Sequence, residues 1–262
     1  MQNDTENLES KKVKKNEKWT TENLLNLQAD ARNTENFSDL ESYGDFGSYR
    51  RVLLGDDLKS SMLPYHNQLK PAAKVDFCHG FLKCRAEEVL SVLDLGCGMG
   101  YTAKALASFY KNADVTAVDI SIDAIEYGKK NFSGIEFRCE AVEPENPKIG
   151  QFDVIFAFEF YPFTRTNDLE IHIQWLKYLL SQLTPGGHLI IHLLWKRPRS
   201  VFSTICRLEK EFPEFRFATH TVPREQVHRV LKIRFLSVFF DYLVRLILRK
   251  APNKGIVISR AK

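Results

Sequence analysis

The stretch "SVLDLGCGMGYTAKAL", residues 91–106, decides the fold. An aliphatic run, an acid (Asp94), three glycines on alternate positions (Gly96, Gly98, Gly100) and a helix-forming run follow one another. That order reads as strand, tight turn and helix, the unit from which parallel sheets are built. In an open parallel sheet, ligands sit beyond the C-terminal ends of the strands, so this turn is the first place to look for a site. A dinucleotide turn needs G-x-G-x-x-G, with backbone amides and a helix N-terminus facing a pyrophosphate. Here the position three beyond Gly98 is Tyr101. An acid two residues before the first glycine works against a pyrophosphate and suits a positively charged group, such as an ammonium or a sulfonium. Asp119 lies nineteen residues past Gly100, at the tip of the next strand, where a carboxylate can accept hydrogen bonds from two ribose hydroxyls. The expected ligand is a nucleoside with a cationic tail.

Outward from this turn the chain keeps one rhythm. Strands are expected at 89–95, 114–120, 135–139, 152–158 and 188–194. Helices are expected at 101–111, at 121–131 with Ser121 as N-cap, and at 167–183, the last stopped by Pro185-Gly186-Gly187. Near-continuous apolar strands alternating with helices predict an α/β fold with a parallel sheet covered on both faces. Upstream, residues 71–88 read as a helix and residues 19–70 as short helices and loops forming an N-terminal cap segment. Residues 1–18, where lysines and acids interleave, read as a solvated, disordered tail. Downstream come a helix at 199–211, a strand at 215–222, a helical insertion at about 224–250 and a closing strand at 255–259.

The 262 residues are 44% apolar and 12% aromatic, enough for a substantial core in one large domain or one domain with a cap. A net charge of +4 with no dense basic stripe does not mark a nucleic-acid binder. Residues 1–40 are polar throughout and carry no secretory signal. The five cysteines are odd in number and scattered, which reads as reduced thiols in the cytoplasm. Cys78, His79 and Cys84 lack the spacing of a zinc pair and no second pair follows, so no metal is expected.

The segment from about 89 to 195 resembles the class I S-adenosylmethionine-dependent methyltransferases. "DLGCGMG" (94–100) matches that family's D/E-x-G-x-G-x-G turn, and Asp119 matches the acid after its second strand. "FDVIFAFEF" (152–160) matches its fourth strand and following loop, and "LTPGGHLII" (183–191) the turn into its fifth strand. The resemblance implies a Rossmann-like, seven-stranded, mainly parallel sheet with an antiparallel last strand and a helical N-terminal cap. Residues 71–262 would form the methyltransferase domain. It also implies S-adenosyl-L-methionine as cofactor. Gly96, Gly98 and Gly100 would line its methionine and ribose part, Asp94 would face the methionine ammonium, Asp119 would hold the ribose and Ile120 would pack on the adenine. Phe158 and Glu159 would border the methyl group and substrate. The family often has an acid near the end of the third strand that accepts from the adenine amino group. Here "FRCEAVE" (137–143) places Glu140 one residue short of that pattern, which leaves Glu140 or the backbone of Ala141 and Val142 for the adenine.

Methyl transfer from a sulfonium is an in-line displacement with an activated leaving group, so alignment in a dry site supplies much of the rate. A general base is needed only where the nucleophile arrives protonated. No catalytic dyad stands out. Glu159, Tyr161, His192 and Trp195 are candidates for the substrate side, and His192 reads equally as a core histidine of an apolar strand. "YGDFGSYRR" (43–51) is expected to close over the site, with Tyr49 or Arg50 reaching the methionine carboxylate or an acidic substrate. The loop at 159–165 lacks the N/D-P-P-Y/F sequence of the family's nucleobase and glutamine methyltransferases, which argues against nucleic acid as substrate.

The expected activity is methyl transfer to a small-molecule, sugar or lipid-linked acceptor. The alternatives are protein or RNA methylation and an inactive cofactor-binding scaffold. "RFLSVFFDYLVRLILRK" (234–250) is apolar and basic, contains Asp241 and Arg245, and is too short to span a bilayer. It reads as a lid or packing helix, an oligomer contact, or an interfacial helix that would hold a cytoplasmic protein at the membrane periphery.

Overall fold

The computed structural model describes residues 21–40, 46–55, 69–145, 149–164, 168–193, 200–248 and 253–261. The tail expected at 1–18 lies outside those residues, as do Tyr43, Gly44 and Trp195. Seven strands form one sheet: β1 (Ser91–Leu95), β2 (Asp114–Asp119), β3 (Glu136–Cys139), β4 (Phe152–Phe158), β5 (Leu183–Leu193), β6 (Phe215–Val222) and β7 (Asn253–Arg260). Their order is β3-β2-β1-β4-β5-β7-β6. β7 runs antiparallel to β5 and β6, and the other pairings are parallel. The strand order reverses between β1 and β4, which opens a crevice beyond their C-terminal ends.

Nine helices accompany the sheet among the described residues: α1 (Thr21–Thr34), α2 (Phe46–Leu53), α3 (Leu69–His79), α4 (Tyr101–Phe109), α5 (Ile122–Asn131), α6 (Leu169–Leu180), α7 (Ser200–Glu211), α8 (Glu225–Leu231) and α9 (Arg234–Ile247). Side chains alternate across the strands, so each central strand feeds two cores. Val92, Val154 and Phe156 pack on one face with Leu106 and Tyr110, while Leu93, Ile155 and Ala157 pack on the other with Leu176 and Leu179. A third, smaller core of Leu24, Ala31, Leu40, Phe46 and Ala141 joins the N-terminal helices to the loop after β3.

The cap is also fastened by polar contacts. The Gln28 side chain on α1 is 2% exposed and grips the β2–α5 turn. Its Nε2 donates to the Ile120 carbonyl at 2.6 Å, and its Oε1 accepts from the Ile122 amide at 2.8 Å. Arg32 pairs with Asp123 at 2.9 Å and Glu126 at 2.8 Å on α5.

Three sequence expectations are corrected. The helix expected at 71–88 ends at His79, because the chain turns at Gly80, over which the Arg234 guanidinium lies so closely that a Cβ would meet it at 1.6 Å. A separate 3-10 turn covers Ala86–Glu88. The strand expected at 188–194 already begins at Leu183, and Pro185-Gly186-Gly187 forms an irregularity within it, where the pairing shifts between Phe152↔Leu183 and Val154↔His188. Gly187 is required there, since a Cβ would stand 2.9 Å from the Thr184 carbonyl and 3.0 Å from that of Phe152. Of the helical stretch expected at 224–250, the described residues form two helices, broken at Lys232, whose φ is +55°.

Candidate active site

β1 and β2 end side by side, with Leu95 opposite Val118. The amides of Gly96 and Cys97 both donate to the Val118 carbonyl, at 2.9 and 3.0 Å, which pins the glycine turn to β2. Gly96, Gly98 and Gly100 have φ values of +72°, +51° and +85°, a region L side chains avoid. Space is short as well: a Cβ on Gly96 would stand 2.9 Å from the Phe160 ring, and one on Gly98 would stand 3.0 Å from the Tyr49 hydroxyl. Gly96 and Gly98 line a cavity of about 510 Å³. Gly100 is not part of that lining; it stands behind the turn, where it caps α4 and faces the Phe137 ring.

Two carboxylates frame the turn. Asp94 is 1% exposed, and its Oδ2 has no hydrogen-bond partner among the described residues. Burial, and then the nearby Asp119, push its pKa up to about 7, against the opposing pull of Lys74 and the Ala103 amide. Asp119 uses its carboxylate to tie the site together: Oδ2 accepts from the Gly98 amide at 2.8 Å and Oδ1 from the Ser121 amide at 2.9 Å. Burial raises its pKa, and these backbone hydrogen bonds oppose the rise. Each carboxylate oxygen keeps a lone pair for a further donor.

Ile120, Glu140, Ala141, Val142 and Phe158 line the same cavity, as do Tyr49, Glu159 and Tyr161. Two candidates do not. Arg50 points to α5, with Nη1 3.4 Å from Asp123 Oδ1, and so helps latch α2 to that helix. His192 is 1% exposed on β5, its ring centre 5.6 Å from that of Phe158 and its Nδ1 4.0 Å from Glu159 Oε1. It stands directly behind Glu159, whose φ of +57° is unusual for a residue with a side chain.

Phe46, from the stretch expected to close over the site, lines it too, and other lining residues carried no sequence signal: Leu24 from the cap, Lys74 from α3, Glu143 from the loop after β3, and Gln174 and Trp175 from α6. The Lys74 ammonium lies 3.9 Å from Glu159 Oε1 and 5.0 Å from the centre of the Phe158 ring. Its approach depends on how α3 packs, which local sequence does not encode.

Residues 86–234 match the family described as Methyltransferase domain. The chain belongs to that family. Among curated methyltransferases, it is 38% identical over 113 residues to the malonyl-[acyl-carrier protein] O-methyltransferase of Bacillus cereus, covering 42% of this chain and 40% of that protein. To the sterol 4-C-methyltransferase strm-1 of Caenorhabditis elegans it is 31% identical over 133 residues, covering 49% of this chain and 38% of that protein. The matched part thus spans no more than 40% of either relative's length. The crystal structure of the plantazolicin methyltransferase BpumL, in complex with a monoazolic desmethylPZN analog and SAH, shares the fold with a TM-score of 0.54 at 16% identity, over 92% of this chain and 98% of that one.

The residues of this site suit S-adenosylmethionine. Asp94 Oδ2 is a buried acceptor with no donor among the described residues, the environment an ammonium satisfies. Asp119 offers its remaining lone pairs beside the glycine turn, and Ile120 gives an apolar surface next to it. This fit carries a pH dependence. Pairing with an ammonium needs ionised Asp94, so below a pKa of about 7 a proton must first be removed. Affinity for S-adenosylhomocysteine is expected to fall about tenfold from pH 8 to pH 6, and Asp94→Asn is expected to bind weakly with no such slope, as read by calorimetry. In the ligand-free protein, the folded pKa exceeds the unfolded one. Asp94's contribution to stability is therefore full at acid pH and is lost as pH rises towards 7.

Proposed function

We propose that this methyltransferase moves the methyl group of S-adenosyl-L-methionine to a small-molecule acceptor whose nucleophile is an uncharged hydroxyl or amine, including one borne on a sugar or a lipid. The carrying observation is the charge of the lining. Asp94, Asp119, Glu140, Glu143, Glu145 and Glu159 face the cavity, and Lys74 is the one cation among its described lining residues. That balance suits a sulfonium and repels an anionic acceptor. Past Phe158, the rings of Phe160, Tyr161 and Trp175 form an apolar wall, with ring centres 5.2 Å (Phe160–Trp175) and 6.2 Å (Tyr161–Trp175) apart.

The cofactor supplies a methyl group on an already activated sulfur. The chain's part is to hold, align and dry the site. Tyr49 of α2 covers the glycine turn, Phe46 of the same helix lines the cavity, and both exclude water. Glu159, placed past the end of β4 with Lys74 and His192 beside its carboxylate, takes the proton of a hydroxyl or amine acceptor.

Incubation with labelled cofactor and a fractionated cell extract tests the reading. Label is expected in the small-molecule or lipid pool, and label confined to protein or RNA would overturn it. Glu159→Gln is expected to lower kcat by about a hundredfold or more while leaving S-adenosylhomocysteine affinity unchanged. Full turnover by that variant would remove Glu159 as the base.

A further inference from the structure

The helical hairpin α8–α9 has its polarity inverted. The side chains that α9 turns into the protein are Ser237, Asp241 and Arg245, at 0%, 0% and 5% exposure. They lie four residues apart and so form one stripe along the helix. The stripe is fully engaged. Asp241 accepts from Arg224 at 2.8 Å and from Arg245. The Ser237 hydroxyl lies 3.0 Å from Nδ1 of His228, whose Nε2 meets Asp76 of α3 at 2.9 Å. This network fixes the rotation of α9, because turning these groups out of register would leave buried charge unpaired.

The consequence is an apolar stripe facing outward. Phe235, Phe239, Tyr242, Leu246 and Ile247 are between 47% and 79% exposed. Of the thirteen large apolar side chains exposed among the described residues, ten lie between Val230 and Leu248, so the exposure is one patch and not scattered surface. Around it stand the exposed cations Arg229, Lys232 and Arg234. The one acid between Gln226 and Leu248 is the buried Asp241.

We propose that this face docks on an anionic lipid bilayer, with the apolar stripe entering the boundary between headgroups and acyl chains and Arg229, Lys232 and Arg234 meeting lipid phosphates. Charge selects this occupant. No exposed acid between Gln226 and Leu248 balances Arg229, Lys232 and Arg234, and an anionic surface neutralises them. The contact is peripheral, since no helix among the described residues is long and apolar enough to cross a membrane. α8 packs on α3, the helix that also brings Lys74 to the cavity, so the docked face and the site share one helix.

Co-sedimentation of the full chain with vesicles tests the proposal, using phosphatidylcholine alone and phosphatidylcholine mixed with phosphatidylglycerol. Binding is expected to the mixed vesicles and to weaken with added salt. Phe235→Ser combined with Ile247→Ser is expected to lower partitioning by about tenfold or more with an unchanged near-UV circular dichroism spectrum. Arg229→Glu combined with Lys232→Glu is expected to abolish the preference for the anionic vesicles. Failure to sediment with either vesicle, or equal sedimentation of the wild type and the serine variant, would overturn the proposal. So would a solution dimer that the serine substitutions dissociate and that does not bind vesicles, which would assign the face to a second copy.

Discussion

Asp119→Ala is expected to weaken binding of S-adenosylhomocysteine by about tenfold to a hundredfold, the loss of about 1.5 to 3 kcal/mol of hydrogen bonding to a charged group. The carboxylate does two things at once. It faces the cavity at the tip of β2, and it accepts the amides of Gly98 and Ser121 at 2.8 and 2.9 Å. Removing it frees the glycine turn from the start of α5 as well as deleting the acceptors proposed for the ribose. Asp119→Asn is not a mild change here: its amide nitrogen is a donor, and both backbone partners of the carboxylate are donors too. Calorimetric titration of both variants reads the effect, and unchanged affinity in either would remove Asp119 from the site.

Gly100→Ala is expected to destabilise the protein by about 2 to 5 kcal/mol and lower Tm by about 5 to 15 °C. Two costs add. The φ of +85° places an alanine in a strained backbone region, and the new Cβ would stand 2.6 Å from Phe137. That ring cannot retreat, because it is 5% exposed and its other contact, Gly128 of α5, leaves no room for a Cβ either, at 2.5 Å. Phe137 is therefore wedged between two glycines, one at the cap of α4 and one on α5. Gly100 serves the packing that holds the turn in place, a different job from that of Gly96 and Gly98, which meet the cavity. Thermal unfolding followed by circular dichroism reads the shift.

The parts of this molecule legible in its sequence are those written by short-range rules. The strand–turn–helix at 91–106 declares itself because alternate glycines, a preceding acid and an apolar run fall within one short window. Asp119 follows from the same logic, since the tip of the second strand in such a unit must lie beside the first. Gly100 shows the limit of that logic, because the motif spacing cannot say which glycine faces a ligand and which faces a ring. Arg50 shows a second limit. It belongs to a segment that does reach the site through Tyr49, yet one residue further round the helix the side chain meets Asp123 instead.

Gln28, Lys74 and Trp175 were invisible for a related reason. Gln28 and Lys74 act through contacts made across more than eighty residues and Trp175 through the loop after β4, and nothing in the immediate neighbourhood of any of them distinguishes it from a helix-surface or core residue. The break between α8 and α9 carries no glycine or proline signal, since Lys232 itself adopts the left-handed conformation. In α9, hydrophobic periodicity shows that the helix has two faces. Which one turns inward is decided by Arg224, His228 and Asp76, and only the structure brings these together.

The central claim is that the buried Asp94 and the Asp119-braced glycine turn hold a cationic nucleoside. Isothermal titration of the purified full-length protein with S-adenosylhomocysteine tests it most directly. One-to-one binding that strengthens from pH 6 to pH 8, with proton release as Asp94 ionises, is the result expected from a pKa of about 7. No binding of either S-adenosylhomocysteine or S-adenosylmethionine across that range would contradict it.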